Sequence, residues 1–277
     1  DQMLYAYAAN GFKPGGVSTV DANGDVSTGE YDSEEIWAYE IGYKSMWRNN
    51  SVRFNAAAFY YDYTDQQVPY FFTDPVSGLL NTTVLNAGET EIKGAEFELI
   101  WNSIFVDGLS ATISYVYSDA EYTDFNTRKI LAEAGGQPDA ASLALAGNAD
   151  GDFSGNQVMN SPEHAGLISA RYDYDLGNTG AQGFVELMGN YQSKRYVDLG
   201  NRAWVPSRWT TDLFAGFSGD KWDATLYVMN LFDADEPESG LSNVDYGLLP
   251  DAQNVSSATN LVLPMPRTVG LRASYRF

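Results

Sequence analysis

Cysteine is absent from this 277-residue chain, which excludes a disulfide framework, thiol catalysis and thiolate-held metals. Histidine is nearly absent. His164 stands alone, so the commonest general base and the imidazole clusters of zinc centres are missing. Basic residues are few: sixteen Lys and Arg face 37 Asp and Glu, a formal net charge of −21. A nucleic-acid binder needs the opposite, a basic footprint. No run of about 18 apolar residues occurs, so a membrane-spanning helix is excluded. The opening DQMLYAYAANGF lacks the basic segment and apolar core of a signal peptide. That leaves a mature protein or a stretch that starts mid-chain.

What is present is aromatic and alternating. Aromatics make up 14% of the chain, 19 of them Tyr. In SEEIWAYEIGYK, Trp37, Tyr39, Ile41 and Tyr43 alternate with Ala38, Glu40, Gly42 and Lys44. KGAEFELIW sets Ala95, Phe97, Leu99 and Trp101 against Gly94, Glu96 and Glu98. The same period of two runs through GLSATISYVYS, RWTTDLFAGFS, KWDATLYVMN and the closing TVGLRASYRF. It is the signature of a strand with one apolar face. About ten strands are expected, near 3–12, 35–47, 51–65, 84–101, 109–123, 160–175, 183–196, 207–218, 221–230 and 267–277. Most have ten or more residues, the length a tilted strand needs to cross a bilayer (roughly 9–11) rather than the usual 5–6.

The connections alternate. Short ones fall at 48–50, 102–108, 176–182 and 219–220; long ones span about 13–34, 66–83, 124–159, 197–206 and 231–266. Turns at one end and long loops at the other define an outer-membrane barrel meander. The expected fold class is therefore all-β, an antiparallel transmembrane barrel portion with short periplasmic turns and long extracellular loops. The Ala-rich stretch 131–147 is compatible with a short loop helix.

Against that architecture, the chain resembles the C-terminal part of a TonB-dependent outer-membrane receptor. The resemblance is carried by YAYAANGFKPGG (5–16), YEIGYKS (39–45), FNAAAFYYDYTDQQV (54–68), NAGETEIKGAEFELIW (86–101), SPEHAG (161–166), YVMNLFDADEP (227–237) and PRTVGLRASYRF (266–277). GFKPGG looks like the ferric-siderophore subset. The resemblance implies a barrel of 22 strands around a plug, so that residues 1–277 are a single partial domain lacking the plug, the TonB-contact segment and the earlier strands. It implies uptake of an iron complex without enzymatic chemistry or a resident cofactor. The implied partners are outer-membrane lipid and lipopolysaccharide, the TonB complex through the missing N-terminal region, the barrel-assembly machinery and an iron-chelate ligand. Rival readings are a receptor for cobalamin or an oligosaccharide, a self-contained barrel enzyme or porin, and a soluble β-sandwich.

Several residues follow as candidates. Polar-face charges Glu40, Lys44, Glu96, Glu98, Glu186, Asp212, Arg272 and Arg276 are expected to face the lumen and, in a complete receptor, the plug. Loop aromatics Tyr70, Phe71, Phe72 and Trp204 are candidate ligand contacts. Tyr275 and Phe277 match the terminal signal of outer-membrane barrels. Trp47, Trp101, Phe217, Trp222 and Phe277 near the short turns, and Tyr60, Tyr61, Tyr117, Tyr191 and Trp209 nearer the long loops, suggest two interfacial girdles. DANGD (21–25) and NADGDF (148–153) echo calcium loops but lack the distal Glu; no metal site is expected. NLFDADEP (230–237) reads as a strand running into an Asp-stabilised turn, and His164 as structural.

Overall fold

The structure, a computed structural model, describes residues 1–18, 29–73, 80–102, 106–128, 150–245 and 256–277. The 131–147 stretch, DANGD and the first residues of NADGDF lie outside the described residues.

The chain runs as long hairpins extended by smaller ones. β1 (Gln2–Lys13) leads to the short pair β2 (Gly16–Ser18) and β3 (Gly29–Tyr31), then returns as β4 (Glu34–Trp47). β5 (Val52–Thr64) continues into β6 (Gln66–Thr73), and β7 (Leu80–Ala87) comes back into β8 (Glu89–Asn102). β9 (Leu109–Asp124), β10 (His164–Asp175) and β11 (Gln182–Gln192) follow. The small pair β12 (Arg195–Tyr196) and β13 (Trp204–Val205) precedes β14 (Arg208–Ser218) and β15 (Trp222–Met229). β16 (Ser239–Asp245) and β17 (Ser256–Val262) form the last loop hairpin before β18 (Thr268–Tyr275). Ten of these make one antiparallel sheet in the order β1-β4-β5-β8-β9-β10-β11-β14-β15-β18, with β1 and β18 at its two edges and not paired to each other.

The ten expected strands are these ten, with three differences. The expected strand 84–101 is broken at Gly88, which sits at φ 41°; a Cβ there would meet the Asp124 carbonyl oxygen at 1.3 Å, so only glycine allows the bend from loop hairpin into sheet. The expected strand 183–196 likewise ends at Gln192 before resuming as β12. The terminal strand stops at Tyr275, leaving Phe277 beyond it, although Arg276 N–H still donates to the Lys221 carbonyl at 2.7 Å. The long loops carry hairpins that alternation alone did not reveal. The tight turn after β4 places Arg48, Asn49 and Asn50 all at positive φ (51°, 54° and 69°), a conformation Asn tolerates better than most residues.

Register carries one face through all ten strands, because residues opposite each other in an antiparallel pair share a face. Leu4 pairs Tyr43, which pairs Ala56, then Phe97, Tyr115, Gly166 and Tyr191. Leu187 pairs Leu213, then Val228 and Val269. Eight residues separate Trp47 from Tyr39, Tyr172 from His164, and Phe217 from Trp209, all on this apolar face. At a strand rise of about 3.4 Å and a tilt near 40°, this spacing is about 21 Å along the bilayer normal. Trp37 stacks on Tyr39 at 6.1 Å, and Tyr191 meets Trp209 at 6.1 Å. Charges on this face begin at the register row of Tyr39 and Tyr60, where Lys93 pairs Asp119, and continue one row further with Asp62, Glu91 and Glu121. Two polar groups inside the band find partners within it. Ser45 Oγ donates to the Phe54 carbonyl at 3.0 Å, and Trp209 Nε1 to Thr211 Oγ1 at 3.0 Å. Tyr60 belongs to this face, but Tyr61 does not: it stacks on Phe59 at 5.0 Å on the other side. Adjacent strand residues cannot serve one girdle, which corrects the pairing expected from sequence.

The buried aromatic cluster gathers where the long connections meet the loop-side end of β9. Phe153 (1% exposed), Phe125 and Tyr122 form a closed aromatic cluster, with Val68, Val158 and Leu199 packed around it. Three long connections therefore meet at one point. Reciprocal bonds reinforce it: Asn201 Oδ1 accepts from Gln157 N–H at 2.7 Å and its Nδ2 returns to the Gln157 carbonyl at 3.0 Å.

Candidate functional site

The polar face of the sheet holds the chemistry. Glu40, Lys44, Glu96, Glu98, Glu186, Asp212 and Arg272 occupy alternate positions on β4, β8, β11, β14 and β18, and the register brings them all to the face opposite the apolar band. Arg276 follows with the same parity just past β18.

Two of the hollows on this face hold the candidates or lie beside them. The first, about 420 Å³, is lined by Tyr5, Glu40, Lys44, Asn55, Glu96 and Glu98 among others. Its geometry starts from Gly42, whose missing side chain leaves room for the Tyr5 ring, 2.3 Å from where a Cβ would stand. Laid across the strand, Tyr5 donates its hydroxyl to Glu40 Oε1 at 2.6 Å, while Tyr7 donates to Oε2 at 3.0 Å. Lys44 Nζ lies 5.1 Å from the Tyr5 ring centroid, within cation–π range. Asn55 donates to Glu98 at 3.0 Å. Glu96 has no hydrogen-bond or ion-pair partner among the described residues. Three carboxylates thus share a hollow with one ammonium, an arrangement suited to a cationic occupant.

The second hollow, about 430 Å³, spans β9 to β14. Ser114, Leu167, Asn190 and Thr210 form one register row and Val116, Ala165, Gln192 and Arg208 the next. Between the hollows and the periplasmic turns, Arg171 is held by Asp173 at 2.9 Å and Glu186 at 3.3 Å, with its guanidinium 3.9 Å from the Phe184 ring centroid.

The remaining candidates separate. Asp212 is buried and accepts the Asn230 N–H at 2.8 Å, so it braces the turn that begins NLFDADEP. In that turn Asn230 Oδ1 accepts Ala234 N–H at 2.8 Å and Asp233 Oδ1 accepts Arg267 N–H at 2.8 Å, the side-chain-to-backbone bonding expected of it. Trp204, on β13, is 55% exposed, with Lys194 Nζ 6.0 Å from its ring. The backbone of Tyr70, Phe71 and Phe72 lies in β6, opposite Thr83, Thr82 and Asn81; their side chains lie outside the described residues. His164 sits against Tyr115 and Tyr117, and its Nδ1 shares a 2.8 Å hydrogen bond with the Tyr115 hydroxyl. Ser154, through its hydroxyl and N–H, holds the Asp152 carboxyl below its ordinary range. Among the described residues no group of three or more His, Asp or Glu could hold a metal ion. Sequence reading missed Arg171, Arg195 and Arg208. A signal existed: Lys194, Arg195, Arg202 and Arg208 are four of the chain's sixteen basic residues, within one fifteen-residue stretch.

A sheet with an apolar face bounded by aromatics and an opposite face carrying charges is the wall of a membrane β-barrel. The family model described as "TonB dependent receptor-like, beta-barrel" matches residues 1–231, and the chain belongs to that family of outer-membrane barrels. A curated relative, the "Probable TonB-dependent siderophore receptor PiuA" of Acinetobacter baumannii, is 30% identical over 216 residues, 78% of this chain and 25% of the relative. The solved ferric yersiniabactin uptake receptor FyuA from Yersinia pestis superposes with a TM-score of 0.71 at 21% identity, over 100% of this chain and 35% of that one. The siderophore receptor PiuA from Acinetobacter baumannii gives 0.64 at 21% identity, over 98% of this chain and 33% of that one. The chain spans a quarter to about a third of these relatives. These relatives are named as receptors, and none of them as an enzyme.

Proposed function

We propose that residues 1–277 form one partial domain, the C-terminal part of the barrel of an outer-membrane receptor in a Gram-negative bacterium. The receptor takes up an iron complex such as a ferric siderophore, in TonB-dependent fashion. The observation that carries this reading is the two-faced sheet itself. Its apolar band fits a bilayer, and its opposite face offers three carboxylates against one ammonium in the first hollow. On this reading Glu40, Glu96 and Glu98 meet basic side chains of a plug, with Lys44, Glu186, Arg272 and Arg276 along the same wall and Asp212 bracing it. The loops that converge on Phe153, together with Trp204 and the β6 aromatics, face the incoming ligand. Tyr275 and Phe277 are read by the barrel-assembly machinery, the outward acids and Lys93 meet lipopolysaccharide, and the TonB complex engages the N-terminal region of the receptor.

Growth under iron limitation tests this. Deleting the gene should abolish use of at least one ferric siderophore as sole iron source while leaving cobalamin and oligosaccharide utilisation intact. Loss of one of the latter instead would replace iron with that nutrient.

A further inference from the structure

The two hollows differ in charge, although they share a face and nearly a volume. The first is ringed by Glu40, Glu96 and Glu98. The second has no acidic lining among the described residues, and its one charged group is Arg208. In a chain of net charge −21 that is a local reversal of sign. One side of this hollow is apolar, with Leu167 flanked by Val116 and Ala165; the other presents Asn190, Gln192 and Thr210 as hydrogen-bond donors beneath the guanidinium.

Arg208 is not alone. Its Nη2 lies 2.9 Å from Glu238 Oε1, and Arg195 Nη2 donates to the Glu238 backbone carbonyl. Two guanidiniums therefore converge on one glutamate. Arg195 Nε is buried and has no hydrogen-bond partner, a group that costs free energy until something accepts from it. Burial, with Arg208 nearby, holds the Arg195 guanidinium below its ordinary pKa despite Glu238. The site is under-supplied with negative charge, and its supply is a single exposed-side carboxylate.

We propose that this hollow is a wall subsite for the anionic oxygen donors of an aryl-bearing iron chelate. Arg208 exchanges Glu238 for the ligand's catecholate, phenolate or carboxylate oxygens, while Leu167 and its apolar neighbours take the ring. The proposal rests on the iron-uptake reading and goes beyond it by assigning the ligand's charge and the residues that read it. The pairing is bidentate by nature, since a guanidinium fork matches two adjacent oxygens. Glu238 then acts as a stand-in that keeps the cations paired while the hollow is empty.

The test is tryptophan-fluorescence titration of the full-length receptor in detergent with two probes: the trianionic iron(III) tris-catecholate and the cationic iron(III) complex of desferrioxamine B. The unaltered protein should prefer the trianion. Arg208→Gln should weaken the trianion about tenfold, the loss expected for one charge-assisted hydrogen bond, and move the cation less than twofold. Glu238→Gln, which frees the Arg208 guanidinium from its carboxylate and leaves the Arg195 bond to the backbone carbonyl in place, should tighten the trianion severalfold. A gain of affinity cannot come from misfolding. Equal losses for both probes in Arg208→Gln, or a weakened trianion in Glu238→Gln, would overturn the subsite. Preference of the unaltered protein for the cation would overturn it too, while leaving iron uptake standing. Binding of neither probe, with growth on ferric siderophores unaffected by gene deletion, would remove the uptake reading itself.

Discussion

Ile113 and Ser114 are neighbours on β9 and face opposite solvents if the sheet is a barrel wall. Ile113 lies midway between Leu109 and Tyr117, with Leu99 and Ile168 opposite it in register. Along the strand it is about 14 Å from either interface, or about 10 Å along the normal at the usual tilt. The first outward charge, Asp119, is six residues further on, beyond what a snorkelling Lys can reach. Ile113→Lys therefore places an ammonium near the midplane and should cost about 2–4 kcal/mol. Ser114→Lys places the same group against Glu98, its register partner on β8, and should change stability by less than about 1 kcal/mol, with a favourable sign. The contrast of at least about 2 kcal/mol is a factor near 30 in the folding constant. Reversible urea unfolding from phospholipid vesicles, followed by tryptophan fluorescence, measures it. Equal effects for the two variants would mean that the apolar face does not meet lipid, and the membrane argument would fail with it.

Other substitutions probe the rest of the structure. Gly94→Ala would set a Cβ 2.2 Å from the Tyr117 carbonyl and 2.5 Å from Phe59 Cζ; forcing β8 from β9 should cost about 2–3 kcal/mol, in the same unfolding assay, against under 1 for Gly166→Ala, whose nearest contact is 3.3 Å. Phe153→Ala empties the loop cluster and should cost about 3–4 kcal/mol locally, seen as faster proteolysis between residues 125 and 160 with the sheet still protected. Asp198 Oδ1 accepts the Arg202 and Ala203 N–H groups, both at 2.9 Å, so Asp198→Ala should loosen the β12–β13 turn by about 1–2 kcal/mol, read as hydrogen exchange at those two amides. Removing Phe277 should leave the urea midpoint unchanged and lower the amount of barrel assembled in cells; normal assembly would dismiss its role as a signal.

The ten sheet strands were legible because, apart from the loop-side end of β9, they contribute little to a conventional core. Their pattern is set by two solvents, and a period of two survives wherever one face must be apolar throughout, as in Trp37 to Tyr43 or Val269 to Tyr275. The breaks were not legible. Nothing in NAGETE marks Gly88 as the one residue that can bend there, because the constraint comes from the Asp124 carbonyl on another strand. The loop cluster escaped for the same reason, since Val68, Phe125, Phe153 and Leu199 come together across 131 residues of chain. For the polar face, alternation grouped the charges on one side of the sheet but could not say which were paired. Asp212 looks like Glu96 in sequence, yet one braces Asn230 and the other stands unpartnered in a hollow. Arg208 and Arg195 remained unremarked because Glu238, which joins them, is thirty residues downstream of the nearer one.

The eight-residue interval between aromatic girdles has a consequence for where this protein can live. Its strands act as a ruler of about 21 Å, bounded on the loop side by charged residues that resist being drawn inward. A bilayer with a thicker hydrocarbon layer must pinch at the wall or leave the rings short of the headgroups, at a cost for each ångström of mismatch. Lipids whose hydrocarbon layer matches that ruler should hold it at the lowest cost, and each added ångström of thickness should raise that cost by a fraction of a kcal/mol.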